Sequence, residues 1–225
     1  MIKCVILDID NTLLDFDKSS KKAIKLAHEM QNIPFEEVFI TEFLKTTEKF
    51  WHRIEKGEID RNFLYANRWK EVYSNLNLNY NGVETENLFR KLLFNCAELV
   101  DGAEQILKYL SKKYLICVAS NAPYNQQVAR LTQAGLMQYI NHIFISEDIG
   151  ADKPSWLFFD RCFAKLNNVK PQETIIVGDS LSADILGGKN YGLKTCWFNL
   201  KNKKISDIIV PDYTITSLLQ IENIL

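Results

Sequence analysis

No stretch of the chain approaches the roughly 18 apolar residues that crossing a bilayer requires, so neither a membrane span nor a membrane partner is expected. Charge of one sign is missing too: 27 Lys and Arg stand against 28 Asp and Glu, a formal net charge of −1 over 225 residues. Such a balance offers nothing to a nucleic-acid polymer or an anionic membrane. Cysteine is scarce and unpatterned. Cys4, Cys96, Cys117, Cys162 and Cys196 are odd in number and form no Cys-x-x-Cys, which argues against a zinc or disulfide framework. Several lie inside apolar runs, where a free thiol behaves as a small hydrophobe, and reduced thiols point to the cytoplasm. The first apolar run is too short for a signal peptide and ends in acids. The three histidines (His28, His52, His142) lack metal-ligand spacing. His28 and His52 are expected on the surface of helices, with His52, beside Trp51 and Arg53, able to face a substrate.

Apolar residues make up 47% of the chain, enough for the core of one domain carrying an insertion. Five short apolar runs read as strands: Cys4–Leu7, Leu115–Ala119, Ile143–Ile145, Thr174–Val177 and Thr195–Phe198. Helical patterns near 102–112, 124–135, 155–167 and 182–191 separate the last four, the alternation of a parallel α/β sheet with right-handed crossovers. Gly135 and Gly192 read as helix stops. More than a hundred residues divide the first two strands, and between 17 and 97 the pattern is helical, with Asp60 as an N-cap and Gly57 breaking the helix before it. A loop of that length is improbable in a compact domain. An inserted helical subdomain, 17–97, is therefore expected within a core of 1–16 and 98–225. Lys201-Asn202-Lys203-Lys204 reads as a solvated loop.

Four segments carry chemistry. Asp8-Ile9-Asp10-Asn11-Thr12 directly follows the first apolar run, at the C-terminal strand tips where open α/β sheets bind ligands. Two acids at i and i+2 repel unless a cation or proton offsets them, and a hard cation such as Mg²⁺ takes oxygen ligands of this kind. Alone, the motif also fits a polar turn or an N-cap. Ser120-Asn121 ends the second run and could cradle an anion. Lys153 follows the third, taken out of helical geometry by Pro154; the Ser155 beyond it reads as a helix cap. Gly178-Asp179-Ser180 ends the fourth, with Asp184 five residues past Asp179 and about one helical turn away. Acids, hydroxyl, lysine and acids thus occur in order, each at a different strand tip. Gly187-Gly188-Lys189-Asn190-Tyr191-Gly192 closes a helix rather than opening one, and so fits neither a P-loop nor a dinucleotide fingerprint.

In these four motifs, over nearly its whole length, the chain resembles the haloacid dehalogenase (HAD) superfamily. The resemblance implies a HAD-like Rossmannoid core, a parallel sheet sandwiched by helices, plus an inserted all-helical C1 cap, with residues 11–17 as the connecting loop and flap. It implies that Asp8 attacks phosphorus to form an aspartyl-phosphate, which splits one hard displacement into two. Asp10 would protonate the leaving oxygen and then deprotonate water. Ser120 and Lys153 would grip the phosphoryl oxygens, with Asn11, Thr12 and Asn121 beside them. The implied cofactor is Mg²⁺, held by Asp8, the Asp10 backbone carbonyl and Asp179, with Asp184 tuning Lys153 or the metal's waters. The superfamily's dehalogenases lack the second acid, so Asp10 argues for phosphoryl transfer.

Within the superfamily the chain is similar to bacterial pyrimidine nucleotide 5′-nucleotidases. The likeness lies in Asp10-Asn11-Thr12-Leu13 through Asp15-Phe16, Trp51, Gly57-Glu58-Ile59, Arg68-Trp69, Ile145 to Gly150, and Gly178 to Asn199. An aromatic-rich cap can stack a base, which makes Phe16, Trp51 and Arg68 the candidate substrate contacts. The implied partner is a small phosphate ester, a nucleoside monophosphate, acted on by a monomer or homodimer. A sugar-phosphate phosphatase of the acylneuraminate-9-phosphate type and a mutase of the β-phosphoglucomutase type stay open. So does a non-catalytic binding protein on the same scaffold.

Overall fold

The computed structural model describes residues 1–204 and 208–225. The chain divides into two compact units, Met1–Asp15 with Glu98–Leu225, and Phe16–Ala97. In the first, the strands β1 (Cys4–Leu7), β2 (Leu115–Ser120), β3 (His142–Ile145), β4 (Thr174–Gly178), β5 (Lys194–Phe198) and β6 (Tyr213–Ile215) form one sheet in the order β3-β2-β1-β4-β5-β6. Every pairing is parallel. Strand order reverses at β1, whose neighbours are β2 and β4, so its C-terminal tip opens on the crevice where such sheets bind ligands.

The central strands are apolar at every position because both faces are covered. Their side chains alternate in direction. Val5 and Leu7 join Ile116, Val118, Ile175 and Val177 under Ile106, Leu107 and Leu110 of α5 (Ala103–Leu110) and Leu131 of α6 (Tyr124–Gln133). Cys4 and Ile6 join Cys117, Ala119 and Ile176 with Ile149 of α7 (Ser146–Ile149) and Phe158, Phe159 and Cys162 of α8 (Trp156–Phe163). The expected α/β fold, a parallel sheet between helical layers, is what the chain adopts. All five cysteines are buried, and no helix among the described residues is long and apolar enough to cross a membrane.

Two elements differ from expectation. β6 was not foreseen: it is short, exposed at two of its three positions, and lies at the sheet edge, where apolar patterning is weakest. The helix expected at 182–191 begins with a π-helical turn, Leu181–Leu186, before α9 (Gly187–Tyr191). Gly135 and Gly192 do end helices, with φ of +71° and +87°.

The second unit is helical: α1 (Phe16–Met30), α2 (Glu37–Glu55), α3 (Arg61–Asn75) and α4 (Gly82–Leu93). Asp60 caps α3 by accepting from Phe63 N–H at 2.7 Å. Ala23, Ile24, Phe39, Phe43, Trp69, Val72, Phe89 and Leu93 build its interior. His28 corrects the expectation of a surface histidine. It is fully buried, edge-on to Phe39 at 4.5 Å, with Nε2 3.1 Å from the Tyr73 hydroxyl. Burial pushes its pKa down to about 4, so the ring is neutral.

Arg68 is the other correction. The expected substrate cation is 4% exposed and donates through Nε and Nη2 to Glu86 at 3.0 and 2.6 Å, under the Phe43 and Phe89 rings. Its charge is spent inside the helical unit. Glu86→Ala should leave that guanidinium buried and uncompensated, at a cost of about 3–5 kcal/mol in unfolding free energy. Urea denaturation checks this, and a change below 1 kcal/mol would contradict a buried pair.

Candidate active site

β1 delivers the nucleophile candidate. Asp8 N–H donates to the Val177 carbonyl at 2.9 Å, extending the β1–β4 pairing by one residue and holding the Asp8 backbone at the tip. The chain then turns sharply: Thr12, Leu13 and Leu14 N–H all point to the Ile9 carbonyl, and Asn11 takes φ of +58°, a left-handed conformation that asparagine tolerates. This turn exposes Asp10 beside Asp8 without continuing the strand. Asn11 is half-buried; Thr12 is fully buried, and its hydroxyl has no hydrogen-bond partner among the described residues.

Lys153, 2% exposed, lies against the nucleophile. Its ammonium donates to Asp8 Oδ1 at 2.7 Å, Asp184 Oδ1 at 2.6 Å and the Ala119 carbonyl at 2.8 Å, which uses all three of its protons. Its protons therefore serve two carboxylates and a carbonyl, where phosphoryl oxygens were expected. Asn121, expected to touch substrate, instead clamps the lysine's backbone. Its amide donates to the Lys153 carbonyl at 2.9 Å, and its oxygen accepts from Lys153 N–H at 2.9 Å. A cis peptide joins Lys153 to Pro154, and Ser155 caps α8 by accepting from Leu157 N–H at 3.3 Å.

Asp179 and Asp184 close the site from β4. The Asp179 carbonyl accepts from Trp197 Nε1 at 2.9 Å, which fixes the strand end. Asp184, fully buried in the π-helical turn, accepts from Ser180 N–H through Oδ2 at 3.1 Å. π-Turns of this kind occur often at functional sites. Gly178 makes the approach possible: a Cβ there would stand 2.1 Å from Asp184 Oδ2.

Oxygens of Asp8, Asp179 and Asp184 all lie within 4.8 Å of one another. Burial, with Asp184 and Asp179 nearby, raises the Asp8 pKa well above the usual carboxylate range despite Lys153. Burial and Asp184 push Asp179 up to about 7, partly offset by Lys203, Lys153 and Lys201. Burial works against the Lys153 charge, yet Asp184 and Asp8 hold its pKa above the ordinary lysine value. Three carboxylates against one ammonium leave two negative charges in a site made wholly of oxygen donors. That donor set fits a hard divalent cation.

Sequence reasoning missed the partners of Asp10. Gln127 Nε2 donates to Asp10 Oδ2 at 2.6 Å and to Ser120 Oγ at 2.9 Å, and Arg130 Nη1 donates to Asp10 Oδ1 at 2.5 Å. Both residues are fully buried on α6. Their i, i+3 spacing on one helix face was a usable signal, but a glutamine and an arginine in a helix ordinarily read as a solvated face. Ser120 is positioned as expected at the tip of β2, its hydroxyl also accepting from Ala122 N–H at 3.1 Å. The remaining candidates belong to the helical unit. Phe16 stacks on Phe43 with ring centroids 6.5 Å apart, and Trp51 packs beside Phe50, Ile54 and Leu64.

Comparison with known proteins agrees with this geometry. The model of the haloacid dehalogenase-like hydrolases matches residues 2–192. The chain belongs to that family. It is 30% identical over 223 residues to YfnB of Bacillus subtilis, described as a HAD-hydrolase, covering 99% of this chain and 95% of YfnB. The crystal structure of YfnB bound to magnesium superposes with a TM-score of 0.94 over 100% of this chain and 98% of that one. Two relatives are pyrimidine 5′-nucleotidases. PynA of Streptococcus pneumoniae is 27% identical over 96% of this chain and 91% of its own length. YjjG of Escherichia coli is 28% identical over 98% of this chain and 96% of its own.

Two outcomes follow. Gly178→Ala must displace the Asp184 carboxylate and with it one partner of Lys153, so we expect a loss of activity of roughly 100-fold or more; near-normal turnover would show that Asp184 can move at no cost. The second concerns pH. With a folded pKa of about 7 against about 3.9 unfolded, Asp179 binds more proton in the folded state. Its contribution to stability therefore falls as pH rises from about 4 toward 7. In EDTA, Asp179→Asn should melt above the wild type at pH 8, with a smaller gap at pH 5. Mg²⁺ should raise the wild-type Tm at pH 8 and the variant's far less. Calorimetry at both pH values checks this.

Proposed function

We propose that this HAD-family hydrolase is a Mg²⁺-dependent phosphomonoesterase that works through an aspartyl-phosphate, with pyrimidine nucleoside 5′-monophosphates as substrates in the cytoplasm. The observation that carries the chemistry is the pairing of Asp8 with the buried Lys153 ammonium at 2.7 Å, beside a second acid held by its own donors. Lys153 holds one Asp8 oxygen and leaves the other to attack phosphorus. Displacement breaks the ester P–O bond, and the departing oxygen takes a proton from the Asp10 carboxyl. In the second half, Asp10 removes a proton from water as its oxygen attacks phosphorus and the bond to Asp8 breaks, restoring both acids. Ser120 donates its hydroxyl to a phosphoryl oxygen as charge builds there. Asp8, the Asp10 carbonyl and Asp179 would hold Mg²⁺, which would supply positive charge that lets a carboxylate approach a phosphate; Asp184 holds Lys153 against Asp8.

The preference for pyrimidine nucleotides rests on the likeness to PynA and YjjG over nearly the full chain. We assign the helical unit the part of the C1 cap, with Phe16 and Trp51 as substrate contacts; Arg68 is omitted because Glu86 occupies it.

Phosphate release with Mg²⁺ across nucleoside monophosphates and sugar phosphates tests the reading. UMP, dUMP and dTMP should lead the panel, and Asp8→Asn should lose at least about a thousandfold in kcat while still folding. Trp51→Ala and Phe16→Ala should raise KM for nucleotides more than they lower kcat. A sugar-phosphate preference would keep the mechanism and overturn the nucleotidase assignment, whereas full activity in Asp8→Asn would overturn the mechanism itself.

A further inference from the structure

We propose that Gln127 and Arg130 are positioning residues that aim the Asp10 carboxyl at the leaving-group oxygen and tie its placement to that of Ser120. The inference rests on the phosphomonoesterase reading and extends it to two residues behind the acid. Both are fully buried. Arg130 holds Asp10 Oδ1 at 2.5 Å, and Gln127 holds Oδ2 at 2.6 Å, so both oxygens of the carboxyl are fixed and its plane is set. Arg130 Nη1 also donates to Gln127 Oε1 at 3.2 Å. That contact orients the amide, turning its nitrogen toward Asp10 and Ser120. The same nitrogen reaches Ser120 Oγ at 2.9 Å. One buried pair on α6 thus spaces the acid/base relative to a phosphate-gripping hydroxyl on another strand.

Arg130 reaches the reaction through Asp10, whereas Gln127 holds both Asp10 and Ser120. Proton transfer depends on such aim, and misplacing a reacting group by about 1 Å can cost about 100-fold. The consequence depends on the leaving group. In the first displacement the Asp8 oxygen bonds phosphorus, the ester bond breaks, and its electron pair takes the Asp10 proton. An alkoxide needs that proton to depart; a nitrophenolate departs without it. A loss confined to alkyl esters therefore identifies a defect in the acid, whereas general damage to the fold lowers both alike.

The experiment compares kcat/KM for the best alkyl phosphate of the panel with that for p-nitrophenyl phosphate. This constant reports phosphorylation of Asp8 and not the later hydrolysis. Arg130→Met should lose about 10²-fold on the alkyl ester and less than about threefold on the aryl ester; Gln127→Met, which also releases Ser120, should lose on both esters but at least about tenfold more on the alkyl one. Arg130→Lys, which can still reach Asp10 with one donor, should recover part of the loss. Equal losses on the two esters, no loss on either, or a gain on the alkyl ester would overturn the inference. If Arg130→Met does not fold, the lysine variant and Gln127→Met carry the same comparison. Failure of the underlying reading looks different: wild-type protein would hydrolyse neither ester, or Asp8→Asn would hydrolyse both.

Discussion

The site depends on one buried cation. Lys153 is charged, almost completely enclosed, and shared between Asp8 and Asp184. At 2.7 Å and an effective dielectric of about 20, one such contact is worth about 6 kcal/mol before desolvation, which removes several kcal/mol per ion. The ammonium survives burial only because two acids and a carbonyl use all its protons. Much local structure serves that arrangement. Gly178 has no side chain because Asp184 occupies the space, and Asn121 spends its amide holding the lysine's backbone. The π-helical turn carries Asp184 back over the strand end to reach Nζ.

The balance of charge then gives the reason a divalent cation would suit this site. One ammonium cannot neutralise three carboxylates, and burial, with the neighbouring acids adding to it, raises the pKa values of Asp8 and Asp179. Each raised pKa eases protonation, and protonation would make Asp8 a poor nucleophile. A divalent cation held by these acids would neutralise the excess and favour the ionised nucleophile. Metal affinity, nucleophilicity and pH response are thus one electrostatic property, set by how many acids the strand tips bring together.

The strand tips were legible because their signals are local. A buried parallel strand is a short apolar run, and a polar residue directly after it has to stand at the tip; Asp8, Ser120 and Asp179 could be found that way. Lys153 was legible through Pro154. What escaped depended on neighbours far along the chain. Arg68 and Glu86 are 18 residues apart on different helices, so an arginine that reads as a substrate handle has its partner hidden. His28 carried no mark of the aromatic cage around it. Arg130 and Asp10 are 120 residues apart, and nothing local says that a half-buried acid waits for that arginine. β6 is too short and too exposed for patterning to register.

Asp8 and Asp10 are two residues apart yet belong to separate hydrogen-bond sets. Asp8 is held through Lys153 by residues from the ends of β2 and β4, whereas both Asp10 oxygens are held from α6. The sharp turn at Ile9 makes this separation possible, since a continued strand would carry both acids toward the same neighbours. Separation matters for a covalent mechanism. In the proposed cycle the nucleophile has to be ionised and still when it attacks, while the acid/base changes its protonation state twice in each turnover. Sharing donors would couple every proton movement at Asp10 to the charge on Asp8. With distinct partners, the lysine's field can serve one carboxylate and the aim of the other can be set independently, so a single strand tip supports two acids with opposite requirements.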